Sequence, residues 1–216
     1  MTTFVMNGWA AGPEAWALTT FSRDWTFDYV EEMDGLPEKI VREIDGPLLL
    51  VGFSMGGLFA LRLLLENRAR VKGLVLVSAT PRMMEDRPSW RGMSQRRIEA
   101  LKRGTELVFE RDPSPVYQEA NLVRGLDILR QVDLRAALEA AAHERPFTLP
   151  VAILQSEKDG VVRPENAAYL KTIFPTAEVT MVKGGEHVLP ITASALVSQT
   201  VERVRAKALQ LIEEKK

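Results

Sequence analysis

Residues 47–65 of the chain read PLLLVGFSMGGLFALRLLL, and this stretch decides the fold. The apolar run 48–51 predicts a buried strand, and the leucines within 58–65 recur at the spacing of a buried helix face. Between them, residues 52–56 form the pattern Gly-x-Ser-x-Gly in a strand–turn–helix setting, where only small residues fit two places either side of the serine. The stretch predicts a nucleophile elbow that exposes the Ser54 hydroxyl at a helix N-terminus. A glycine-rich turn with an incidental serine is the alternative.

Composition and charge bound the kind of protein before any other motif is used. With 216 residues, 46% of them hydrophobic and 26% charged, the chain has the length and composition of one globular domain with a substantial core. A net charge of -1 gives no case for nucleic acid or a membrane as a partner, and we expect neither. The lack of cysteine excludes disulfides, thiolate metal sites and a cysteine nucleophile. No signal-peptide pattern or membrane-spanning apolar run is present, so we expect a cytoplasmic protein. We also expect a monomer.

Strand and helix patterns alternate along both ends of the chain. Buried strands that alternate with helices are typical of a parallel sheet covered on both faces, which is an α/β fold. Besides the helix that follows the elbow, the patterns predict strands at 3–6, 25–30, 48–51, 71–77, 151–155 and 178–182, and helices at 14–22, 37–44, 164–172 and 190–214.

The alternation stops between residues 81 and 146. This segment is charged and interrupted by prolines, and it contains no convincing strand pattern. We therefore expect a helical cap insertion at 81–146 that lies over the sheet edge, with residues 1–80 and 147–216 forming the core. Helices within the insertion are predicted at 93–103, 115–124 and 125–142.

A serine hydroxyl becomes a useful nucleophile only when a neighbouring base takes its proton, and histidine suits that work. The chain has two histidines. His187 lies in a glycine-rich loop just after the predicted strand 178–182, at the carboxyl end of the strand, where open α/β sheets place their chemistry. His143 lies at an alanine-rich helix end, where a solvated or capping role is simpler. We predict that His187 is the base and that no metal or organic cofactor is needed.

The third group should be a carboxylate that orients the imidazole. Asp159 lies in Ser-Glu-Lys-Asp-Gly, just after the predicted strand 151–155. Its competitors are Glu157 nearby and Asp86 and Asp133 further away, and an ordinary Asp-Gly turn is the alternative interpretation. The chain order Ser, Asp, His favours Asp159, because that order accompanies a Gly-x-Ser-x-Gly nucleophile.

Negative charge that develops on a substrate carbonyl needs N–H donors held in place. We expect one donor to be the backbone N–H of Met55, at the helix start. The second should be the Trp9 N–H in the loop after the first strand, where Gly8 lets the chain turn back over the site. The Trp9 indole would either wall an acyl pocket or anchor the loop, and the two roles are compatible.

Taken together, Asn7-Gly8-Trp9, the elbow, Asp159-Gly160 and Gly185-Glu186-His187 resemble the α/β-hydrolase superfamily over nearly the whole chain. Within it, the loop, the elbow Gly-Phe-Ser-Met-Gly-Gly and the run 129–135 are most similar to the pimeloyl-[acyl-carrier protein] methyl ester esterases of biotin synthesis. The resemblance implies an α/β-hydrolase fold and an enzyme that hydrolyses the methyl ester of a pimeloyl chain on acyl-carrier protein, releasing methanol.

The sequence departs from the superfamily pattern in two places. Asn7-Gly8 stands where the family usually has His-Gly, a histidine that is structural in most members. The sequence also begins at the strand before the oxyanion loop, without the antiparallel strands that usually precede it. We therefore expect a mostly parallel sheet of about six strands.

The first part of the predicted cap is basic. Residues 82–103 carry seven positive and three negative side chains in a chain whose total charge is -1. A basic surface beside the active site would attract an acidic acyl-carrier protein, whereas a solvated helix rich in arginine is the simpler interpretation. The candidate carrier-binding residues are Arg87, Arg91, Arg96, Arg97, Lys102 and Arg103.

The sequence therefore predicts a serine esterase in which Ser54 attacks, His187 moves the proton and Asp159 orients His187. A general short-chain carboxylesterase or thioesterase is the nearest alternative activity, and a lyase on the same fold is more distant. From a different class, the chain could be a non-catalytic binding protein that kept the fold.

Overall fold

The computed structural model describes residues 1–27, 36–111 and 119–214. Its centre is a six-stranded sheet in which every pairing is parallel and the strand order is β2-β1-β3-β4-β5-β6. This confirms the predicted parallel sheet of about six strands. The strands are β1 Thr2–Met6, β2 Trp25–Phe27, β3 Leu48–Phe53, β4 Val71–Val77, β5 Val151–Ser156 and β6 Glu178–Val182.

Helices connect the strands and cover both faces of the sheet. A short 3₁₀ helix at Pro13–Trp16 follows β1. The α-helices are α1 Leu36–Glu43, α2 Met55–Glu66, α3 Gln95–Arg111, α4 Glu119–Gln131, α5 Arg135–Glu144, α6 Glu165–Ile173, α7 Leu189–Thr192 and α8 Ser194–Glu213.

Side chains that alternate along the strands build two apolar clusters, one on each face of the sheet. Leu48 and Leu50 of β3 pack on the side of α2 and α6, whereas Leu49 and Val51 pack on the side of α8. All six residues of β3 are buried. A central strand buried on both faces explains why this part of the sequence reads as a continuous apolar run.

Two predicted helices end at different places in the structure. The helix predicted at 14–22 is only the 3₁₀ turn at Pro13–Trp16. The helix predicted at 190–214 is divided at Ala193 into α7 and α8.

The helix boundary predicted between residues 124 and 125 is wrong, because α4 continues through Gly125 and the chain breaks at 132–134 instead. Parts of two predictions, the strand residues 28–30 and the helix residues 115–118, lie outside the described residues.

The long connection between β4 and β5 contains α3, α4 and α5. In its described part, strand-like pairing is limited to three isolated bridges, and none of them joins the main sheet. Hydrogen bonds link this connection to the loops at the carboxyl edge of the sheet, from Trp9 to α4 and from Arg97 to Gly160.

Candidate active site

Ser54 joins β3 to α2 with backbone angles of φ 54° and ψ -116°. A left-handed φ at a residue with a side chain is strained, and such strain is typical of a nucleophile elbow. A Cβ on Gly52 would lie 2.5 Å from the Gly56 carbonyl oxygen, and one on Gly56 would lie 2.1 Å from the Met6 carbonyl oxygen. The two glycines of the motif therefore allow this sharp turn to close against β1.

Three side chains from different loops form one hydrogen-bonded chain. His187 Nε2 lies 2.9 Å from Ser54 Oγ, and His187 Nδ1 lies 2.8 Å from Asp159 Oδ2. The three residues follow β3, β5 and β6, at the carboxyl edge of the sheet. With its proton on Nδ1, the imidazole donates to Asp159 and offers the Nε2 lone pair to the Ser54 hydroxyl. In this arrangement a histidine can take a proton from a serine.

Asp159 is held by donors on both carboxylate oxygens. Its Oδ1 accepts hydrogen bonds from the backbone N–H groups of Val161 and Val162, at 2.8 and 2.9 Å, and its Oδ2 accepts one from Gln155 Nε2 at 3.1 Å. Burial alone would raise the pKa of Asp159, but the hydrogen bond and charge of His187, together with the two backbone donors, outweigh burial and lower the pKa below its ordinary value. Asp159 is therefore an anion that can stabilise a protonated imidazole.

The other candidate residues lie elsewhere. His143 is exposed in the last turn of α5, and Glu157 is exposed in the loop after β5. Asp86 and Asp133 both pair with Arg135, which lowers the pKa of Asp133 to about 2.

Two serines that the sequence reasoning missed support the loop of His187. The Ser78 hydroxyl donates to the backbone carbonyl of His187 at 2.9 Å, and the Ser156 hydroxyl donates to the carbonyl of Gly185. The ring of Phe53 packs against the imidazole, with 5.2 Å between ring centroids. The available signal was a polar residue at the end of each apolar strand, at the edge where Ser54 also lies.

The loop after β1 approaches the elbow closely at Gly8. A Cβ on Gly8 would lie 2.9 Å from the Phe53 ring and 3.2 Å from the Cβ of Ser54, so a side chain there would crowd the elbow. Trp9 follows directly, and Met55 is the first residue of α2, where a backbone N–H has no acceptor within its own helix. The two N–H groups predicted to hold an oxyanion thus belong to the two segments that flank Ser54.

The Trp9 indole extends from this loop to α4. Its Nε1 donates to the carbonyl oxygen of Leu122 at 2.8 Å, and a Cβ on Gly125 would lie 2.7 Å from its Cδ1 and 3.7 Å from Met55 Sδ. These contacts support the anchoring role of Trp9, while a role as a wall of an acyl pocket stays a prediction.

The basic side chains of 82–103 are engaged to different degrees. Arg97 donates to the carbonyl oxygen of Gly160 at 2.9 Å, so it joins α3 to the loop of Asp159. Arg87 pairs with Glu85, and Arg91 lies 3.6 Å from a carboxylate oxygen of Glu165. Within the described part of the chain, no acidic partner is found for the remaining three candidates, Arg96, Lys102 and Arg103.

The described residues, 1–27, 36–111 and 119–214, contain neither a metal-binding cluster nor a membrane-spanning helix. No group of three or more His, Asp or Glu side chains in these ranges could hold a metal ion. In the same ranges, no helix has both the length and the apolar character required to cross a bilayer.

The parallel sheet, the strained serine at the elbow and the Ser–His–Asp hydrogen bonds define the class of protein, an α/β-hydrolase. The family model described as "Serine aminopeptidase, S33" matches residues 21–191, and the chain belongs to that family.

Several curated proteins similar to this chain are named pimeloyl-[acyl-carrier protein] methyl ester esterase. The one from Nitrosospira multiformis is 27% identical, and the match covers 72% of this chain and 67% of that protein. One from Yersinia pseudotuberculosis is 25% identical, and the match covers 70% of this chain and 67% of that protein.

Solved structures show the same fold. An esterase from Exiguobacterium antarcticum has a TM-score of 0.72 at 18% identity and covers 95% of this chain and 92% of its own. A bromoperoxidase from Bacillus anthracis has a TM-score of 0.66 at 18% identity, and the match covers 95% of this chain and 91% of the bromoperoxidase chain. The resemblance seen in the sequence is confirmed, as are the fold class and the enzyme class, a carboxylic ester hydrolase.

Proposed function

We propose that Ser54, His187 and Asp159 are the catalytic triad and that the substrate is the methyl ester of a pimeloyl group carried on acyl-carrier protein. The hydrogen-bonded chain from Ser54 Oγ through His187 to Asp159 carries the chemical part of this proposal. The curated relatives, whose name is that activity, support the choice of substrate.

The reaction begins when Ser54 Oγ attacks the ester carbonyl carbon and His187 Nε2 takes the hydroxyl proton. The charge that develops on the imidazole is stabilised by the Asp159 carboxylate. When the tetrahedral intermediate collapses, the ester C–O bond breaks, His187 returns the proton to the departing methoxide, and methanol leaves. Water then attacks the acyl-enzyme with the same proton transfers, which frees the acid and restores Ser54.

The backbone N–H groups of Trp9 and Met55 hold the oxyanion in both tetrahedral intermediates. Donors that are fixed before the reaction stabilise the developing charge without having to reorganise, and losing one typically costs about 10²-fold or more in kcat. The close approach of Gly8 to Ser54 supports this assignment, because it brings the Trp9 loop against the nucleophile.

Residues 81–146 act as a cap over a core formed by 1–80 and 147–216. Two hydrogen bonds support a position of this cap beside the site, from the Trp9 indole to Leu122 and from Arg97 to Gly160. Each joins a helix of the cap to a loop that carries a site residue or its neighbour. Opening of the cap would therefore disturb the oxyanion loop and the loop of Asp159 together.

A carrier protein would approach along α3. Arg96 and Arg103 are both exposed and lie seven residues apart, which places them two turns apart on one face of the helix. Positive charges presented in this way raise the rate of encounter with an acidic partner. Arg97 is the least suited of the six candidates, because its guanidinium already binds Gly160.

The direct test of the substrate compares the carrier-bound methyl ester with dimethyl pimelate and with p-nitrophenyl acetate. We expect kcat/KM to be highest for the carrier-bound ester. Turnover of p-nitrophenyl acetate with no preference for the carrier-bound ester would instead identify a general short-chain carboxylesterase.

The carrier surface is tested with the double variant Arg96→Glu/Arg103→Glu. We expect kcat/KM for the carrier-bound ester to fall by about tenfold at low salt, with a smaller loss at high salt, since screening weakens exposed charges. Hydrolysis of dimethyl pimelate should not change. The matched control is Lys39→Glu/Arg205→Glu, which reverses two charges on α1 and α8. An equal loss in both double variants would refute the α3 surface.

A further inference from the structure

Two buried serines at the carboxyl edge of the sheet hold the loop that carries His187. Ser78 follows β4 directly, and Ser156 is the last residue of β5. Both side chains have no exposed surface. The Ser78 hydroxyl donates to the carbonyl oxygen of His187 at 2.9 Å, and that of Ser156 donates to the carbonyl oxygen of Gly185. The two hydroxyls therefore hydrogen-bond to the loop at positions two residues apart.

The backbone of Ser78 is strained. Its φ is 47°, in the left-handed region that residues with a side chain rarely adopt. The Ser78 N–H donates to the carbonyl of Leu154 at 2.8 Å, so the neighbouring strand β5 holds the residue in this conformation. Glycine would adopt the same angles without strain. A serine there directs a hydroxyl to His187 but requires a strained backbone conformation. Strain of this kind clusters at functional sites.

The loop itself has little internal support. Gly184 has a φ of 67° and is followed by Gly185, and glycines leave the chain with many accessible conformations. Proton transfer between Ser54 and His187 nevertheless depends on a contact of 2.9 Å, and small displacements of a reacting group are expensive. External hydroxyls supply the order that the glycine-rich sequence does not.

We propose that Ser78 and Ser156 are positioning residues, which act on catalysis by fixing the backbone on which His187 is carried. The inference rests on the proposed role of His187 as the base. Ser78 is the more informative of the two, because its hydrogen bond ends on His187 itself. The His187 carbonyl also accepts from the Leu189 N–H at 3.0 Å, so removing the serine hydroxyl does not leave that carbonyl without a partner.

The test compares Ser78→Ala with Ser78→Gly, using hydrolysis of p-nitrophenyl acetate and urea unfolding. Both variants lack the hydroxyl, so kcat should fall by roughly tenfold in both, the equivalent of one net hydrogen bond, with KM unchanged. The free energy of unfolding should be higher for Ser78→Gly than for Ser78→Ala, because alanine keeps the strained φ and glycine relieves it. Ser156→Ala should reproduce the loss in kcat.

The matched control is Ser198→Ala, which removes a buried serine hydroxyl on α8 that bonds to Ser194 and Thr20. It should lower stability and leave kcat unchanged. A wild-type kcat in Ser78→Gly would overturn the proposal, as would a loss of kcat that follows the loss of stability across all four variants. Failure of the proposed triad looks different, because the wild-type protein itself would then not hydrolyse p-nitrophenyl acetate.

Discussion

Replacing Asp159 by asparagine should disable the base while leaving the fold intact. Asparagine has one carbonyl oxygen, and the N–H groups of Val161 and Val162 fix it at the place of Oδ1, with donor distances of 2.8 and 2.9 Å. The amide NH₂ then occupies the place of Oδ2, which lies 2.8 Å from His187 Nδ1. Donors would face each other there unless Gln155 turned its amide oxygen toward the new NH₂ and His187 moved its proton to Nε2.

That change of tautomer removes the lone pair that Ser54 needs. With its proton on Nε2, the imidazole presents an N–H to the serine hydroxyl and cannot accept the proton. The equivalent substitution in a serine protease triad lowers kcat about 10⁴-fold. We expect a loss of the same order, about 10³ to 10⁴-fold, in the hydrolysis of p-nitrophenyl acetate and in the rate of labelling by a fluorophosphonate probe.

The control is Glu157→Gln, which neutralises an exposed carboxylate two residues away in the same loop. It should leave both rates unchanged, and urea unfolding should show that Asp159→Asn is folded. If Asp159→Asn retained more than about one tenth of the wild-type rate, the orienting role of Asp159 would be wrong.

Three further predictions concern the elbow and the acid. Gly56→Ala should lower the free energy of unfolding, measured in urea, by about 2 kcal/mol or more. The new Cβ would lie 2.1 Å from the Met6 carbonyl oxygen, and backbone atoms cannot easily move away. An unchanged free energy of unfolding would contradict this close contact. The free energy of unfolding of Ser54→Gly should be about 1 kcal/mol higher than that of Ser54→Ala, because only glycine relieves the strain of a φ of 54°. Equal free energies of unfolding would argue against strain at this residue. The lowered pKa of Asp159 means that its ionised form stabilises the fold above the ordinary carboxyl value, about pH 3.9, and that this contribution is lost as pH falls through the lower folded value. Urea unfolding at several pH values should therefore give Asp159→Asn a flatter stability curve below about pH 4 than wild type, and parallel curves would contradict this.

Much of the fold follows from local sequence because its signals are local. A strand buried on both faces must be continuously apolar, and β3 and β4 therefore lie where their apolar runs predict. The elbow was equally visible because its Gly-x-Ser-x-Gly pattern is contiguous in the sequence, although the contact that requires Gly56 comes from Met6 of β1. The assignment of His187 was helped by the scarcity of histidine in this chain.

The features that sequence reasoning missed depend on contacts between distant residues. Gly125 suggests a helix boundary, yet it lies inside α4. A glycine fits there because the Trp9 indole fills the space that a side chain would occupy. Ser78 and Ser156 are ordinary serines in the sequence. Their hydrogen bonds to the loop of His187 form only because the sheet brings the ends of β4 and β5 beside that loop.

The most direct test of the central claim is covalent labelling of the intact protein with a fluorophosphonate, followed by mass spectrometry of its peptides. The account predicts one adduct per chain, located on Ser54, and no adduct in Ser54→Ala. An unlabelled wild-type protein, an adduct on another residue, or equal labelling of Ser54→Ala would contradict it.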